Sequence, residues 1–199
     1  MCGSRTGIRW TRLVLLGYGL AWILWGCTSG GGLQNVTRES YEKKSSGQSL
    51  VIGRLDFRQP KELGLRMPSI IPRKMILLTR TSPGASGSEN LFHKVGSGGY
   101  FHFLLSPGDY KISQVSSDVS TLSRSGTVAI NTDLPFRVPE NKDIYIGTIT
   151  VDYTLTLLGQ VTDSKISVAD NYDEAMKKLK EEVPFVQTGV ENRTIKASP

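Results

Sequence analysis

Residues 100–115, YFHFLLSPGDYKISQV, form the stretch that decides the fold. Pro107 presets φ for the second position of a tight turn, and Gly108 supplies the positive φ that a type II turn needs at its third position. Apolar, strand-forming residues stand on both sides of this turn. The pattern therefore predicts an antiparallel hairpin made of residues 100–105 and 110–115.

The second of these strands alternates in character, because Tyr110 and Ile112 share one face while Lys111 and Ser113 share the other. Similar apolar runs, separated by Gly, Pro, Asn, Asp and Ser, extend from Leu50 to about Leu158. The further predicted strands are 49–57 (SLVIGRLDF), 75–80 (MILLTR), 91–95 (LFHKV), 127–131 (TVAIN), 134–138 (LPFRV) and one or two strands within 144–158 (IYIGTITVDYTLTLL). Together they predict a mainly β fold, an antiparallel β-sandwich of about seven strands.

One amphipathic helix is predicted after the strands, over residues 170–182 (DNYDEAMKKLKEE). Its apolar residues fall on one stripe at helical spacing: Tyr172, Ala175, Met176 and Leu179. Asn171 with Glu174 resembles a capping box at the first turn, and Pro184 follows the last turn. We therefore expect a single C-terminal amphipathic helix.

The central stretch carries a family resemblance. Gly98–Tyr110, GGYFHFLLSPGDY, resembles the hairpin of prealbumin-like and carboxypeptidase-regulatory-like domains, in which an aromatic strand enters a Pro-Gly turn and returns through a Tyr. Asp143–Ile149, DIYIGTI, is similar to a strand of bacterial lipoproteins that carry such domains. The resemblance covers about 100 residues. It implies a β-sandwich in which that Tyr packs into the core, and it implies a binding, spacer or accessory module with no reaction.

The N-terminus has the order of a secretory signal peptide. Residues 1–12 contain three arginines and no acid, and residues 13–25 (LVLLGYGLAWILW) are uncharged and mostly apolar. An apolar run of this length is shorter than the ~20 residues that span a bilayer comfortably. A cleaved signal is therefore favoured, and an uncleaved anchor or an ordinary buried apolar segment remains as the alternative.

Leu24-Trp25-Gly26-Cys27 resembles the lipobox of bacterial lipoproteins. The resemblance implies cleavage after Gly26 and acylation of Cys27, which makes membrane lipid the first expected partner. Trp25 is bulkier than the residue usual at its position. Thr28 is not the Asp that resembles an inner-membrane retention signal, so the expected address is the cell envelope, at the outer rather than the inner membrane.

These features divide the chain into four parts. We predict a signal peptide over 1–26, a lipidated Cys with a flexible tether over 27–48, a β-sandwich domain with its helix over 49–186, and a mobile tail over 187–199. The tether prediction rests on Thr28–Gly32 (TSGGG) and on the polar residues that follow it. A disulfide scaffold is excluded, because the cysteines are Cys2 and Cys27.

Composition offers little catalytic chemistry. The chain has 24 Lys+Arg and 18 Asp+Glu, and without the three N-terminal arginines 21 basic residues face 18 acidic ones, a balance that does not favour nucleic acid. The imidazoles are His93 and His102, and neither belongs to a metal-ligand or nucleophile motif. Spacing gives no reason to pair Asp109, Asp143 or Asp152 as acid and base. We therefore predict no catalytic residues, no metal and no cofactor, hence no enzyme.

Two functional classes remain. The first is a membrane-anchored envelope lipoprotein whose sandwich is a non-enzymatic interaction module, accessory to an envelope assembly or export system and docking a protein partner on a strand edge or on loops. The alternative is a glycan or small-ligand binder. Exposure of Tyr100 and Tyr145 on one sheet face would favour this alternative, because sugar rings stack on aromatic faces.

Overall fold

The computed structural model describes residues 32–58, 73–81, 89–96, 98–120, 125–155, 161–186 and 189–196. The elements are β1 (Gly32–Leu33), α1 (Arg38–Glu42), β2 (Ser49–Arg58), β3 (Lys74–Arg80), β4 (Asn90–Val95), β5 (Tyr100–Leu105), β6 (Gly108–Ser120), β7 (Ser125–Val138), β8 (Ile144–Leu155), β9 (Val161–Ala169), α2 (Tyr172–Glu182) and β10 (Glu191–Asn192). The mainly β fold is confirmed, and every predicted strand within these ranges is present.

The strands form two sheets that pack face to face. Sheet A has the order β1-β4-β3-β6-β7 and is antiparallel except for β1, which pairs in parallel with β4. Sheet B has the order β10-β8-β2-β5, and β9 pairs with β8 on the same side as β10. In sheet B, β2 runs parallel to β8 and antiparallel to β5, so this sheet is mixed. The main core lies between the sheets and includes Leu55, Ile76, Phe103, Ile112 and Val151.

The prediction of a hairpin is wrong, because the Pro107-Gly108 turn joins a strand of sheet B to a strand of sheet A. β5 pairs with β2 in sheet B, whereas β6 pairs with β3 and β7 in sheet A. The strands differ in their surroundings: Phe101 and Phe103 face the main core while Leu104 packs on the opposite side. In contrast, β6 buries one face only. The link is braced where it changes sheet, since the Tyr110 hydroxyl donates to Ser106 O at 2.9 Å.

Helix α2 covers the outer face of sheet B and creates a second core. Ala175 and Leu179 are buried against Leu50, Ile52 and the tyrosines of that face. The predicted apolar stripe is therefore confirmed. The predicted capping box is wrong: Asn171 is the N-cap residue but makes no capping hydrogen bond with its side chain.

The predicted tether is too long, because residues 32–48 pack on the domain. Val36 is buried in the second core and donates its backbone N–H to His102 O at 3.0 Å. A second, short helix, α1, follows, with Thr37 and Ser40 forming a reciprocal cap. The Tyr41 hydroxyl donates to Asp143 at 2.7 Å. This stretch contains few apolar residues, but two of them, Val36 and Tyr41, pack on sheet B and hold the segment against the domain.

The predicted mobile tail is likewise wrong for residues 189–196. β10 extends the edge of β8, and the Ile195 N–H donates to Ile146 O at 3.0 Å. The Ile195 side chain is buried in the main core. This segment fits beside β8 where Gly147 has a φ of +111° and a side chain there would meet Val168 at 2.7 Å. The tail thus closes one end of the sandwich.

Candidate functional site

The two residues singled out at the N-terminus, Gly26 and Cys27, lie outside the described residues. Of the described chain, the part nearest to them is β1, where Gly32 pairs with Phe92 and Leu33 pairs with His93. Gly32, the first described residue, follows Cys27 by five positions.

His93 is a core residue. Its side chain is fully buried against the rings of Phe101 and Phe103, with centroids 6.4 Å and 4.8 Å away. Nδ1 donates to Leu33 O at 3.1 Å, and Nε2 is buried without a protein partner. Desolvation lowers the pKa of His93 to about 4, so the ring is neutral at pH 7. Its contacts join β1 to the core and leave the ring inaccessible to a substrate.

His102 lies on the opposite face of sheet B from the main core. Its Nδ1 atom is buried without a partner, and burial lowers its pKa against the opposing effect of Glu182. The two histidines stand on different strands and neither is paired with a carboxylate in a hydrogen bond within the described residues. The structure does not assemble them into one site.

The two tyrosines that were candidates for sugar stacking are buried. Tyr145 is 0% exposed and Tyr100 is 9% exposed, both under α2. Tyr145 packs edge to face on Tyr172, and its hydroxyl contacts Thr148 at 3.2 Å. Neither ring has a free face for a saccharide.

The three aspartates considered in the sequence, Asp109, Asp143 and Asp152, make separate contacts. Asp143 accepts hydrogen bonds from the Tyr41 hydroxyl and from Leu50 N at 2.9 Å, and Lys44 lies 3.5 Å away. Asp109, on β6, lies 3.8 Å from Arg137, and Asp152, on β8, is the register partner of Lys165. Asp143 thus fastens the N-terminal segment to the sandwich. The hydrogen bond and burial raise the pKa of Tyr41, which keeps its hydroxyl protonated.

Sequence reasoning missed a charged cluster at the end of sheet B. Arg54 donates to Glu174 at 2.9 Å and pairs with Asp56 at 3.1 Å, while Lys74 donates to Leu55 O at 3.0 Å. Burial lowers the pKa of Lys74. Each of these charged side chains has a protein partner. The cluster therefore links α2 to sheet B through ion pairs and hydrogen bonds. No local sequence signal joins these residues, because they are far apart in the chain.

The described part of the chain has no group of three His, Cys, Asp or Glu side chains able to hold a metal ion. Within the same ranges, neither helix has the length and hydropathy to cross a bilayer. A groove of about 630 Å³ lies between α1 and Phe185, and one of about 710 Å³ lies along α2 near Val190. Neither groove contains an unpartnered buried polar side chain.

β9 forms an open strand edge. Among the described residues, β9 pairs with β8 only, and residues 161–165 are exposed on both faces. Further along, Ile166 and Val168 pack against the main core and fix the strand. β9 contains no proline, whereas β7, the edge strand of sheet A beside it, contains Pro135. An open edge of this kind presents backbone N–H and C=O groups to another strand.

No helix among the described residues covers the outer face of sheet A. Phe92 and Met75 are 40% and 38% exposed, and Leu77 lies between them as the register partner of Phe92. We call these three residues the apolar patch. The residues that continue the face across β6 and β7 are uncharged: Gln114, Ser116, Ala129 and Asn131. Lys94 is the charged neighbour of the patch, opposite Met75.

Comparisons with known proteins give no family. No family model matches the chain, and no curated protein matches it. A leucine-rich repeat protein from Bacteroides thetaiotaomicron superposes with a TM-score of 0.35 at 13% identity, covering 55% of this chain and 14% of that one. The 3-chlorocatechol 1,2-dioxygenase of Rhodococcus opacus 1CP gives 0.22 at 7% identity, covering 83% and 65%. This chain therefore spans less than two thirds of either protein, and these likenesses carry no functional argument.

Proposed function

We propose that this protein is a lipid-anchored envelope lipoprotein, at the outer membrane, whose sandwich is a non-enzymatic module that binds a protein partner. The lipid anchor is supported by the arginines, the apolar run and Cys27 in the order that a lipobox signal requires. Several acyl chains on one residue make such attachment effectively permanent.

The observation that carries the binding role is the open edge of β9. An exposed strand can accept an extended segment of another protein through main-chain hydrogen bonds, while side chains on alternate positions give specificity. Residues 161–165 are also exposed on both faces, so side chains on both faces of this strand are available to a partner. We propose the β9 edge as the docking site of an envelope protein.

The absence of catalysis is part of the proposal and is supported by the separation of the titratable groups. His93 is in the core, His102 is on another strand, and Asp143 and Asp109 serve in structural contacts. The glycan alternative loses the support it had in the sequence, because Tyr100 and Tyr145 are buried. Nothing in the described residues favours it over a protein partner.

The test is in-cell photo-crosslinking from β9. A photoreactive phenylalanine analogue replaces Asp163 or Lys165, which are exposed on β9, and replaces Arg38 on α1 as the matched exposed control. We expect one envelope protein to be captured in near-stoichiometric amount from the β9 positions and not from position 38. Equal capture from all three positions, or none from β9, would contradict the docking site.

The anchor is tested separately. A Cys27→Ala protein should take up no labelled palmitate and should leave the membrane fraction. If it still incorporates palmitate and stays in the membrane, the lipobox assignment is wrong, whatever the crosslinking shows.

A further inference from the structure

The chain available between the anchor and the folded domain is very short. Thr28, Ser29, Gly30 and Gly31 separate Cys27 from Gly32, the first residue of β1. Fully extended at about 3.4 Å per residue, the five steps from Cys27 to Gly32 span at most about 17 Å. An acylated Cys27 therefore holds the β1 end of the domain close to the bilayer surface.

The surface beside β1 has the composition that suits a bilayer. Gly32 is the register partner of Phe92, and adjacent strands lie about 4.8 Å apart, so the apolar patch starts one strand away from the anchor point. Phe92 and Met75 are among the large apolar side chains that the described residues expose. Exposed apolar groups rimmed by polar ones are typical of interaction sites, including membrane-contacting ones.

Charge on this face complements a lipid surface. Lys94 stands next to Phe92 along β4 and has no ion pair among the described residues, so it is available to lipid phosphates. Of the acidic residues on this face, Asp133 pairs with Lys111 and Asp109 lies near Arg137 towards the other end. Asp118 lies one outward position beyond Ser116, which faces Met75, and it accepts a hydrogen bond from Thr127. Lys94 is the charged residue directly opposite Met75.

The topology places the open strand edge on the other side of the molecule. β4 contacts β5 at one side of the sandwich, and β7 contacts β9 at the opposite side. With the outer face of sheet A on the bilayer, β9 lies in the other sheet and at the opposite side of the sandwich from β1, so its edge is not against the lipid surface. One orientation thus accommodates both the short anchor and an accessible docking edge.

We propose that the apolar patch of Met75, Leu77 and Phe92, with Lys94, rests on the bilayer surface that holds the lipids of Cys27. This inference rests on the proposed function, because it requires Cys27 to be acylated. The occupant of the patch is lipid, at the level of the headgroups, and the domain is held in a fixed orientation instead of swinging on its anchor.

The test uses the full lipoprotein in vesicles of phosphatidylethanolamine and phosphatidylglycerol. Acylation occupies Cys27, so Phe92→Cys introduces a single reactive thiol into the processed chain, which is labelled with an environment-sensitive fluorophore. Nitroxide lipids with the spin label near the headgroup serve as quenchers. Ser167→Cys on β9 is the matched control. Because Phe92→Cys also removes the aromatic ring, Lys94→Cys provides a second label on the same face.

We expect the labels at positions 92 and 94 to lose several-fold more fluorescence to the nitroxide lipids than the label at position 167. Equal quenching at the three positions would overturn the inference, and so would a label at position 92 shielded from both nitroxide lipids and aqueous iodide, which would indicate a second copy on the patch. Palmitate incorporation is measured on the same preparations. If it is absent, the proposed function itself fails; if it is present and quenching is equal, only the orientation fails.

Discussion

The two sheets differ in what covers their outer faces. On sheet B, Leu50, Ile52 and Tyr145 are fully or almost fully buried under α2 and the N-terminal segment. On sheet A, Phe92 and Met75 occupy equivalent outward positions and are more than one third exposed. The same kind of residue is therefore a core residue in one sheet and a surface residue in the other.

The sequences of β2 and β4 differ in a way that matches what covers the two sheets. β2 begins Ser-Leu-Val-Ile, and its first five residues are all buried, which is the pattern of a strand covered on both faces. β4 alternates strictly between exposed and buried residues, which is the pattern of a strand covered on one face. An exposed apolar residue such as Phe92, on a strand that is buried on one face, breaks the expected alternation of polar and apolar residues. It consequently indicates an interaction surface.

The largest effect that tests the comparison is expected for Tyr145→Ala. This change empties a fully buried site in the second core and removes the hydroxyl that contacts Thr148, so we expect it to lower the free energy of unfolding by about 3–5 kcal/mol. Phe92→Ala is the matched control on sheet A and should change the same quantity by no more than about 0.5 kcal/mol. Urea unfolding of the purified variants measures both. Similar losses would show that the outer face of sheet A is covered too.

A second prediction concerns the core under sheet A. His93 has a pKa of about 4 in the folded protein against 6.5 in the unfolded chain, so only the unfolded chain takes up the proton as the pH falls between these values. Stability is therefore complete above about pH 6.5 and decreases towards pH 4, by about 3 kcal/mol in total for this pKa difference. Urea unfolding at a series of pH values measures the slope.

The control for this slope is His93→Asn, whose amide can still donate to Leu33 O but does not titrate. We expect the difference in stability between the wild-type protein and this variant to change across pH 4–6.5. A constant difference would show that the imidazole is solvated in the folded state and that β1 is not tied to the core through it.

A third prediction compares glycines in the two sheets. A Cβ on Gly53 in β2 would lie 2.3 Å from Phe101 Cζ, and the Phe101 ring is itself stacked on Phe103 with centroids 5.5 Å apart. Gly53→Ala should therefore cost about 1–3 kcal/mol, because the rings must shift in a packed core. Gly126 in β7 has no atom within 4 Å of such a Cβ, and Gly126→Ala should be neutral or stabilising by up to about 1 kcal/mol. Thermal unfolding of both variants measures these changes in stability. A larger loss of stability for Gly126→Ala than for Gly53→Ala would contradict this difference in packing.

Much of the fold could be predicted because the strands carry local patterns. Tyr110 and Ile112 are both buried on the face that their alternation assigns to them, and Ala175 and Leu179 are buried as their helical spacing requires. The pairing of β5 with β2 could not be predicted from the Pro-Gly turn, because the same turn chemistry serves a hairpin and a crossing between sheets. What separates the two is the burial of β5 on both faces, which depends on the distant residues of α2.

The candidate sites could be predicted from the sequence less well than the strands. Residues 161–169 (VTDSKISVA) are mostly polar, and the signal that could have marked them as a strand is Ile166 and Val168 at a spacing of two. The packing of residues 32–48 depends on Val36 and Tyr41 alone, too few for a periodic pattern. Only tertiary contacts show that Gly32 and Leu33 pair with β4, and this pairing is what brings the apolar patch close to Cys27.

The smallest effect is expected for Glu174→Gln, which tests what holds α2 on sheet B. Arg54 donates to Glu174 at 2.9 Å, but the Glu174 side chain is 59% exposed and Arg54 keeps Asp56 as a partner after the change. An exposed ion pair contributes less than about 1 kcal/mol, and glutamine can still accept the hydrogen bond. Leu179→Ala, a buried change on the same helix, should cost about 2–5 kcal/mol by comparison. Urea unfolding at low and high salt measures both variants. If Glu174→Gln is the more destabilising, ion pairing rather than apolar burial holds α2 on sheet B.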